Sequence, residues 1–186
     1  MGITPKQAEA VLSRANCLYD DNAVQAVLDV MARQISEKIQ HENPLILCVM
    51  TGGLITCSEL LKRFSFPLEV DYLHATRYGD DIVGDELNWI SRPHKSLQDR
   101  TVLIIDDILD VGQTLYQIEQ FVNQQGARQT YTAVLVDKLH DRKSGLLKAD
   151  FAGLTVPDRY VFGYGMDYKH FLRNVSGIYA AGAEDE

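Results

Sequence analysis

Short apolar runs and alternating segments predict six strands in this chain. Some of the runs are apolar at nearly every position, as expected for strands that are buried on both faces of a sheet, whereas others alternate apolar and polar residues. The predicted strands are LILCVM (45–50), LEVDYLHATRY (68–78), RTVLIIDD (100–107), YTAVLVDK (131–138), DFAGLTV (150–156) and RYVFGYGMDY (159–168).

Helical periodicity, with apolar residues at every third or fourth position, separates several of these strands. The predicted helices lie at about 5–16, 22–43, 55–64 and 114–125. Thr4 stands where an N-cap belongs, and Gly126 stands where a left-handed C-cap belongs. Strands that alternate with helices predict right-handed crossovers around a parallel sheet, and such sheets bind ligands at the carboxyl ends of their strands.

A long polar stretch, residues 79–99, interrupts this alternation and contains Trp89, the only tryptophan. A connection of this length is more often a functional loop than a packed element. We therefore expect a mobile flap here, with an exposed tip.

The composition is that of an ordinary globular protein of 186 residues, with 46% hydrophobic and 24% charged residues. This length predicts a single domain, residues 1–186. A formal net charge of −8 argues against binding to nucleic acid. The apolar runs are too short to cross a membrane, the N-terminus lacks a signal-peptide pattern, and the three cysteines lack disulfide or metal spacing. We expect a cytoplasmic protein with reduced thiols.

The segment TVLIIDDILDVGQTL (101–115) concentrates the candidate chemistry. Asp106 and Asp107 end a buried strand, and Asp110 lies in the turn beside Gly112. Because neighbouring strand residues point to opposite faces, we expect one acid of the pair to reach into a cleft and the other to be turned by the end of the strand. The helix N-terminus after the turn offers free amides to an anion, ideally a phosphate. Acids beside a phosphate need hydroxyl partners or a divalent cation, so the segment predicts a ribose diol and magnesium.

Two other interpretations of these acids stay open at this point. An acidic pair at a strand end also holds magnesium in response-regulator receiver domains, and Lys138 would suit their strand-end lysine, although LCVMTGG offers no phosphoacceptor aspartate. The other interpretation is a capped helix start with solvated acids. The fixed offsets of Asp110, Gly112 and Thr114 argue against it.

Four motifs give the chain a resemblance to the type I phosphoribosyltransferases, in the order found in their hypoxanthine-guanine branch. VLIIDDILDVGQTL resembles the phosphoribosyl-pyrophosphate motif, LCVMTGG the pyrophosphate loop, VDK the purine-contacting lysine, and RYVFGYGMDYKHFLRN the base-stacking and metal-binding segment. The resemblance covers about residues 15–180. It implies an α/β fold with a central, mainly parallel twisted sheet flanked by helices. A small hood over the carboxyl ends of the strands would come from the N-terminal helix region and residues 151–186.

The resemblance assigns the phosphoribosyl part of the substrate to the first motif. Asp106 and Asp107 would bind the ribose hydroxyls and a magnesium ion, and Asp110 would be the general base on the purine N7 side. The 5′-phosphate would be cradled by Val111, Gly112, Gln113 and Thr114. Val111 departs from the threonine or serine that is common at this position, which removes one hydroxyl donor.

The pyrophosphate loop and the flap are implied to hold the leaving group. The residues implied at the pyrophosphate are Thr51, Gly52, Gly53, Arg77 and Arg173, with a cis peptide bond between Met50 and Thr51. Thr51 departs from the basic residue often found there, and Arg77 departs from the Ser-Tyr pair common at the start of the flap. We expect Arg173 to compensate for the missing charge.

The C-terminal motifs are implied to bind the base and a metal ion. Lys138 would donate to the purine O6, because an ammonium has only donors and therefore favours a 6-oxo group over a 6-amino group. Tyr160 would stack on the base, and Val161 would offer backbone groups to its edge. Asp167 would bind magnesium on the pyrophosphate side.

These roles imply purine salvage: a 6-oxopurine and phosphoribosyl pyrophosphate would give IMP or GMP and pyrophosphate, with magnesium required. The resemblance also implies a homodimer or a homotetramer. A phosphoribosyltransferase for another base, xanthine above all, is the nearest alternative. A nucleotide-sensing regulator that binds RNA on the same fold is a further alternative, but its basic stripe is missing from the sequence.

Overall fold

The computed structural model describes residues 2–77 and 87–185, except for the side chain of Arg77. The helices are α1 (Pro5–Arg14), α2 (Asp21–Ile39), α3 (Leu54–Leu61) and α4 (Gln113–Gln124). The strands are β1 (Asn16–Tyr19), β2 (Leu45–Met50), β3 (Glu69–Arg77), β4 (Leu87–Ser91), β5 (Thr101–Leu109), β6 (Gln129–Leu139), β7 (Phe151–Pro157), β8 (Val161–Phe162) and β9 (Ile178–Ala180). The predicted α/β class is confirmed.

The central sheet has the strand order β4-β3-β2-β5-β6-β7. All its pairings are parallel except β3 with the edge strand β4. Strands β2 and β5 lie at its centre, which explains their almost continuous burial. Their carboxyl ends therefore meet at one edge of the sheet, where the sequence predicts the site.

Helices cover both faces of this sheet. On one face α2 and α3 bury an apolar stripe that includes Val24, Leu28 and Leu60, and on the other face α4 buries Ile118 and Val122. Helix α1 begins as predicted, because the Thr4 side chain and the Gln7 side chain cap each other's backbone amides. No helix among the described residues is long and apolar enough to span a membrane.

A second, antiparallel sheet of order β1-β9-β8 sits beside the carboxyl ends of the central strands. Together with α1 and the turns of residues 163–177 it forms the hood of this structure. Only Val161 and Phe162 of the predicted strand 159–168 are in a strand, so that prediction is wrong for the rest. Gly163 and Gly165 adopt positive φ angles of 97° and 103°, which turn the chain sharply instead of extending it.

The predicted flap is only partly a loop. Residues 79–86 lie outside the described residues, so the expected mobile tip stays a prediction. Strand β4 begins at Leu87, and Trp89 packs against Phe121 of α4 with ring centroids 4.6 Å apart. The expectation of an unpacked connection is therefore wrong for residues 87–91, because an aromatic contact and pairing with β3 hold this segment on the sheet.

Candidate active site

A cleft of about 330 Å³ opens at the carboxyl ends of β2, β3 and β5. The turn after β2 contributes Thr51 and Gly52, and the hood contributes Asp167 and Arg173. The floor is the segment from Asp106 to Leu115, which contains every acid of the phosphoribosyl-pyrophosphate motif. The structure thus brings together residues that are more than 120 positions apart in the sequence.

Asp106 and Asp107 both line this cleft. Strand β5 continues to Leu109, because Ile108 and Leu109 still pair with β6. The expectation that the strand ends at this pair and turns one of the two acids is therefore wrong. The Asp107 backbone amide donates to Asp106 Oδ1 over 2.9 Å, which holds the Asp106 carboxylate against the backbone of β5.

The two neighbouring carboxyls are costly to ionise together. Burial, and then the charge of Asp107, raise the pKa of Asp106 well above its usual range. Burial also raises the pKa of Asp107, although Asp106 as a hydrogen-bond partner and the Arg173 charge act in the opposite direction. A cation or several hydroxyl donors placed here would relieve this cost.

The turn after β2 lies directly against these acids. The Met50–Thr51 peptide is cis, as expected from the resemblance, and Thr51 is exposed in the cleft. A Cβ on Gly52 would lie 2.1 Å from Asp107 Oδ2, and a Cβ on Gly165 of the hood would lie 2.0 Å from the Gly52 carbonyl oxygen. The hood, the turn and the acid pair are therefore packed directly on one another.

Gly53 lies beneath this turn. It is buried, its amide donates to the Val49 carbonyl over 2.9 Å, and a Cβ there would lie 2.6 Å from the Ile105 carbonyl oxygen. The structure therefore gives Gly53 a packing role against β5, with its amide already bonded. Thr51 and Gly52 are the residues of this turn that line the cleft.

The predicted anion loop, residues 111–114, also lines the cleft. Gly112 is the N-cap of α4 and adopts a φ of 87°, a left-handed conformation that favours glycine. The connection from β6 to β7 supports the loop from behind: Ser144 N donates to the Val111 carbonyl over 3.1 Å, and Leu146 N donates to the Gly112 carbonyl over 3.0 Å. These bonds engage the carbonyls on that side and help to fix the loop.

Asp110 differs from the acid pair because two basic side chains form hydrogen bonds to its carboxylate. Lys138 Nζ lies 3.0 Å from Asp110 Oδ2, and His140 Nε2 lies 2.6 Å from Asp110 Oδ1. Burial would raise the pKa of Asp110, but the hydrogen bonds from Lys138 and His140 outweigh it and leave that pKa lowered. The turn thus carries an ionised carboxylate with a donor on each oxygen.

His140 is the site residue that the sequence reasoning missed, since surface or packing roles were assumed for the histidines. Its side chain is only 4% exposed. One signal was available: residues two apart in an extended segment point to the same side, and His140, directly after β6, stands two positions after Lys138.

A second cavity, of about 320 Å³, adjoins the cleft and lies under the hood. It is lined by Asp107, Ile108, Asp110, Lys138, Tyr160, Val161, Met166 and Asp167. Tyr160 is 36% exposed and packs edge-on against Tyr168, with ring centroids 5.1 Å apart. The three residues predicted to contact a purine therefore line one cavity, and Asp110 lies on the border between that cavity and the cleft.

Asp167 and Arg173 form an ion pair across the hood side of the cleft. Arg173 Nη2 lies 2.6 Å from Asp167 Oδ1, and Arg173 Nη1 donates to the Gly165 carbonyl over 2.5 Å. The His170 amide donates to Asp167 Oδ2 over 2.6 Å. The predicted metal ligand and the predicted pyrophosphate ligand are therefore neighbours. Arg77 ends β3, and its side chain lies outside the described residues.

The donor set suits magnesium better than a metal held by protein side chains alone. Within residues 2–77 and 87–185, no three or more His, Cys, Asp or Glu side chains are grouped to hold a metal ion. Magnesium usually takes one or two carboxylates and completes its shell with substrate phosphates and water. Asp106 and Asp107 from β5 and Asp167 from the hood offer carboxyl groups of this kind to the cleft.

Comparison with known proteins agrees with this geometry. The family model of the phosphoribosyl transferase domain matches residues 15–169. The hypoxanthine-guanine phosphoribosyltransferase of Bacillus subtilis is 32% identical over 162 residues, covering 87% of this chain and 89% of that protein. The hypoxanthine-guanine-xanthine phosphoribosyltransferase of Tritrichomonas foetus is 29% identical over 161 residues, covering 87% and 88%. A crystal structure of a hypoxanthine phosphoribosyltransferase from Staphylococcus aureus has a TM-score of 0.85 and 26% identity, covering 91% and 92%.

Proposed function

Since the chain belongs to the phosphoribosyltransferase family, we propose that it is a purine salvage enzyme that transfers the phosphoribosyl group of phosphoribosyl pyrophosphate to N9 of hypoxanthine or guanine. The products are IMP or GMP and pyrophosphate. One observation supports this proposal above the others: Asp110 stands between a cleft with an anion loop and a cavity that contains Lys138 and Tyr160. A base shared by two adjoining cavities suits a reaction that joins two substrates.

The cleft binds phosphoribosyl pyrophosphate in this proposal. The amides of residues 111–114 and the N-terminus of α4 hold the 5′-phosphate, and Asp106 and Asp107 accept hydrogen bonds from the ribose hydroxyls. Thr51, Gly52 and Arg173 contact the pyrophosphate, and Arg77 at the end of β3 is proposed as a further pyrophosphate ligand. The Val111 and Gly112 carbonyls already accept hydrogen bonds from residues 144–146, so they are turned to that side of the loop.

Magnesium is the proposed cofactor, held by Asp106 and Asp107 on the ribose side and by Asp167 on the pyrophosphate side. When bound, it neutralises charge on the leaving pyrophosphate and so stabilises the departure of that group. The residues fit because the acid pair has too little compensating charge of its own. Arg173 supplies a fixed cation beside Asp167 on the same side of the cleft.

The second cavity binds the purine. Tyr160 stacks on the ring, backbone groups at Val161 meet its edge, and Lys138 donates to O6. A neutral carbonyl oxygen accepts this bond, whereas an amino group has no suitable acceptor for an ammonium. The cavity therefore selects 6-oxopurines over adenine.

Asp110 is the general base. As N9 attacks the anomeric carbon, the bond from that carbon to pyrophosphate breaks and the proton on N7 passes to Asp110. Lys138 holds Asp110 while the purine is absent and lowers its pKa. When Lys138 also donates to O6, its bond to Asp110 weakens, and Asp110 becomes a stronger base in the complex that needs it.

The wider setting of the protein follows the same proposal. We place it in the cytoplasm, where phosphoribosyl pyrophosphate and free purines are used, and we expect a homodimer or a homotetramer built from single-domain chains of residues 1–186. Small molecules are its partners, and neither nucleic acid nor a membrane is expected among them. The net charge of −8 is consistent with the absence of a nucleic-acid surface.

A purine panel tests the function. Purified protein is mixed with magnesium, phosphoribosyl pyrophosphate and one base at a time, namely hypoxanthine, guanine, xanthine or adenine, and nucleotide and pyrophosphate are measured with and without a chelator. We expect magnesium-dependent conversion of hypoxanthine and guanine, with adenine inert. No nucleotide from any base, despite binding of phosphoribosyl pyrophosphate, contradicts the proposal.

Xanthine is included because the Tritrichomonas foetus relative carries that base in its name. Conversion of xanthine at a rate comparable to hypoxanthine would widen the proposed substrate class to all three 6-oxopurines. Conversion of xanthine alone would replace the proposed substrates and leave the assignment of the cleft intact.

A further inference from the structure

His140 forms a second hydrogen bond to the Asp110 carboxylate, and the proposed chemistry gives His140 no role. Each oxygen of the Asp110 carboxylate has its own donor: Lys138 Nζ lies 3.0 Å from Oδ2, and His140 Nε2 lies 2.6 Å from Oδ1. The side chains come from the same strand end but are different kinds of group. Lys138 lines the second cavity, whereas His140 is 4% exposed and lies behind the carboxylate.

The other ring nitrogen of His140 identifies its tautomer. The Arg142 backbone amide lies 3.0 Å from His140 Nδ1. A backbone N–H can only donate, so Nδ1 accepts and the ring proton is on Nε2. His140 therefore donates to Asp110 as a neutral group, and its contact needs no charge on the ring.

The segment that carries His140 is fixed to the site at several points. Lys143 pairs with Asp137, and Arg142 Nη2 lies 2.5 Å from Asp158 Oδ1. Two residues further on, Ser144 and Gly145 donate backbone N–H groups to the Val111 carbonyl over 3.1 and 3.4 Å. The segment thus braces the anion loop and the base together, so His140 has little freedom to leave Asp110.

Lys138, in contrast, is proposed to donate to the purine O6 as well, so its bond to Asp110 weakens when the purine binds. We propose that His140 is a positioning residue, which keeps the Asp110 carboxylate oriented toward the purine while the bond from Lys138 weakens. This inference rests on the proposed function. A carboxyl torsion is broad when nothing holds it, and catalysis by a base depends on its orientation.

The other groups around Asp110 do not replace His140. Asp107 from β5 and Asp167 and Tyr160 from the hood side line the same cavity. Tyr160 accepts a hydrogen bond from the Lys169 amide over 3.3 Å and faces the base position. Among the described residues, Lys138 and His140 are the partners with a hydrogen bond to the Asp110 side chain.

Two substitutions separate a positioning role from a packing role. His140→Leu keeps a side chain of similar size but removes the donor, whereas His140→Gln keeps an N–H that can reach the place of Nε2. His41→Leu, at an exposed histidine away from the cleft, is the matched control. All are made in the full chain.

We expect His140→Leu to lower kcat by about tenfold or more, the size of effect that a hydrogen bond to a charged group has. The KM for phosphoribosyl pyrophosphate should stay within about twofold, because the anion loop and acid pair are untouched. His140→Gln should recover most of kcat. The control should match the wild type.

The pH profile gives a readout that packing alone would not move. A donor to a carboxylate lowers its pKa, so removing His140 raises the pKa of Asp110. Since the reaction needs Asp110 ionised, the acid limb of kcat/KM should move to higher pH in His140→Leu and stay in place in His140→Gln. If the acid limb of kcat/KM and the value of kcat are the same in the wild type and in His140→Leu, the inference is overturned.

Nuclear magnetic resonance of the wild-type ring tests the contact without any variant, which matters if His140→Leu does not fold. The expected result is a proton on Nε2 and none on Nδ1, with the Nε2 proton perturbed in Asp110→Ala. A ring protonated at Nδ1 alone overturns the inference. A wild-type protein that transfers no phosphoribosyl group to any base overturns the proposed function and the inference with it, whereas an active enzyme that is indifferent to His140→Leu overturns the inference only.

Discussion

The acids of one short segment have pKa values that are shifted in opposite directions. Asp106 and Asp107 on β5 are neighbouring carboxyls with raised pKa values, since burial and, at Asp106, the charge of its neighbour disfavour ionisation. Asp110, three residues further, has a lowered pKa because Lys138 and His140 each donate to it. The same residue type thus meets different environments within five positions.

The difference indicates which acid needs a ligand and which does not. The pair on β5 lacks sufficient compensating charge, so a cation or hydroxyl groups in the cleft would stabilise it. Side chains of the protein itself stabilise the charge of Asp110. It therefore stays ionised in the free protein, as a general base must before it accepts a proton. Acids that look equivalent in the motif are therefore prepared for different tasks.

The largest expected effect comes from removing the compensated acid. Asp110→Asn keeps the shape of the side chain but cannot take a proton, so we expect kcat to fall by roughly 10²-fold or more, the range that general bases supply. Binding of phosphoribosyl pyrophosphate, measured by calorimetry, should change far less. Equal turnover in the variant would remove Asp110 from the mechanism.

Removing Lys138 as a hydrogen-bond donor should make the pKa of Asp110 more like those of Asp106 and Asp107. In Lys138→Met the pKa of Asp110 should rise, so that the acid limb of kcat/KM moves to higher pH. Loss of the bond to O6 should also lower kcat/KM for hypoxanthine by about tenfold or more. Lys148→Met, at an exposed lysine, is the matched control for steady-state kinetics across pH. If the acid limb of kcat/KM does not move in Lys138→Met, the assigned role of Lys138 is contradicted.

Removing a charge from the uncompensated pair should stabilise the fold. A raised pKa means that ionised Asp107 costs stability at every pH above the ordinary carboxyl pKa, and that this cost vanishes as the pH falls below about 4. Asp107→Asn should therefore raise the Tm at pH 7 by roughly 2–4 °C, the shift that about 1 kcal/mol produces in a domain of this size. The gain should disappear near pH 3.

Thermal melts of Asp107→Asn and of Glu37→Gln, an exposed acid on α2, make this comparison. The Glu37 control should leave the Tm within about 1 °C, since surface substitutions change stability little. A lower Tm for Asp107→Asn at pH 7 would show that the pair is compensated after all. The same variant should also weaken binding of magnesium phosphoribosyl pyrophosphate.

The smallest expected effect lies in the loop that follows Asp110. Val111→Thr adds a hydroxyl at a position that lines the cleft and keeps the side-chain shape. One added hydrogen bond of about 1 kcal/mol should tighten phosphoribosyl pyrophosphate binding by about fivefold, as measured by calorimetry. Unchanged or weaker binding would show that the Val111 side chain points away from the 5′-phosphate.

Local chemistry explains which elements were predictable. Gly112 and Gly126 have the positive φ angles that their positions suggest, and the strands at the centre of the sheet have apolar runs that no other local structure suits as well. Strands β1 and β9 escaped prediction because they have only four and three residues and pair across about 160 positions. Trp89 was assigned to a flap because its partner, Phe121, lies on a helix that the local pattern does not connect to it.

The sequence by itself determined the acids, the anion loop and the order of motifs, since each depends on residue type and short spacing along the chain. Only the tertiary structure decided how the acids differ, because charge compensation depends on side chains 28 and 30 positions from Asp110. It also decided that Gly53 packs inside while Gly52 faces the cleft. Pairwise electrostatics and close packing act through space, and the one-dimensional pattern does not contain those distances.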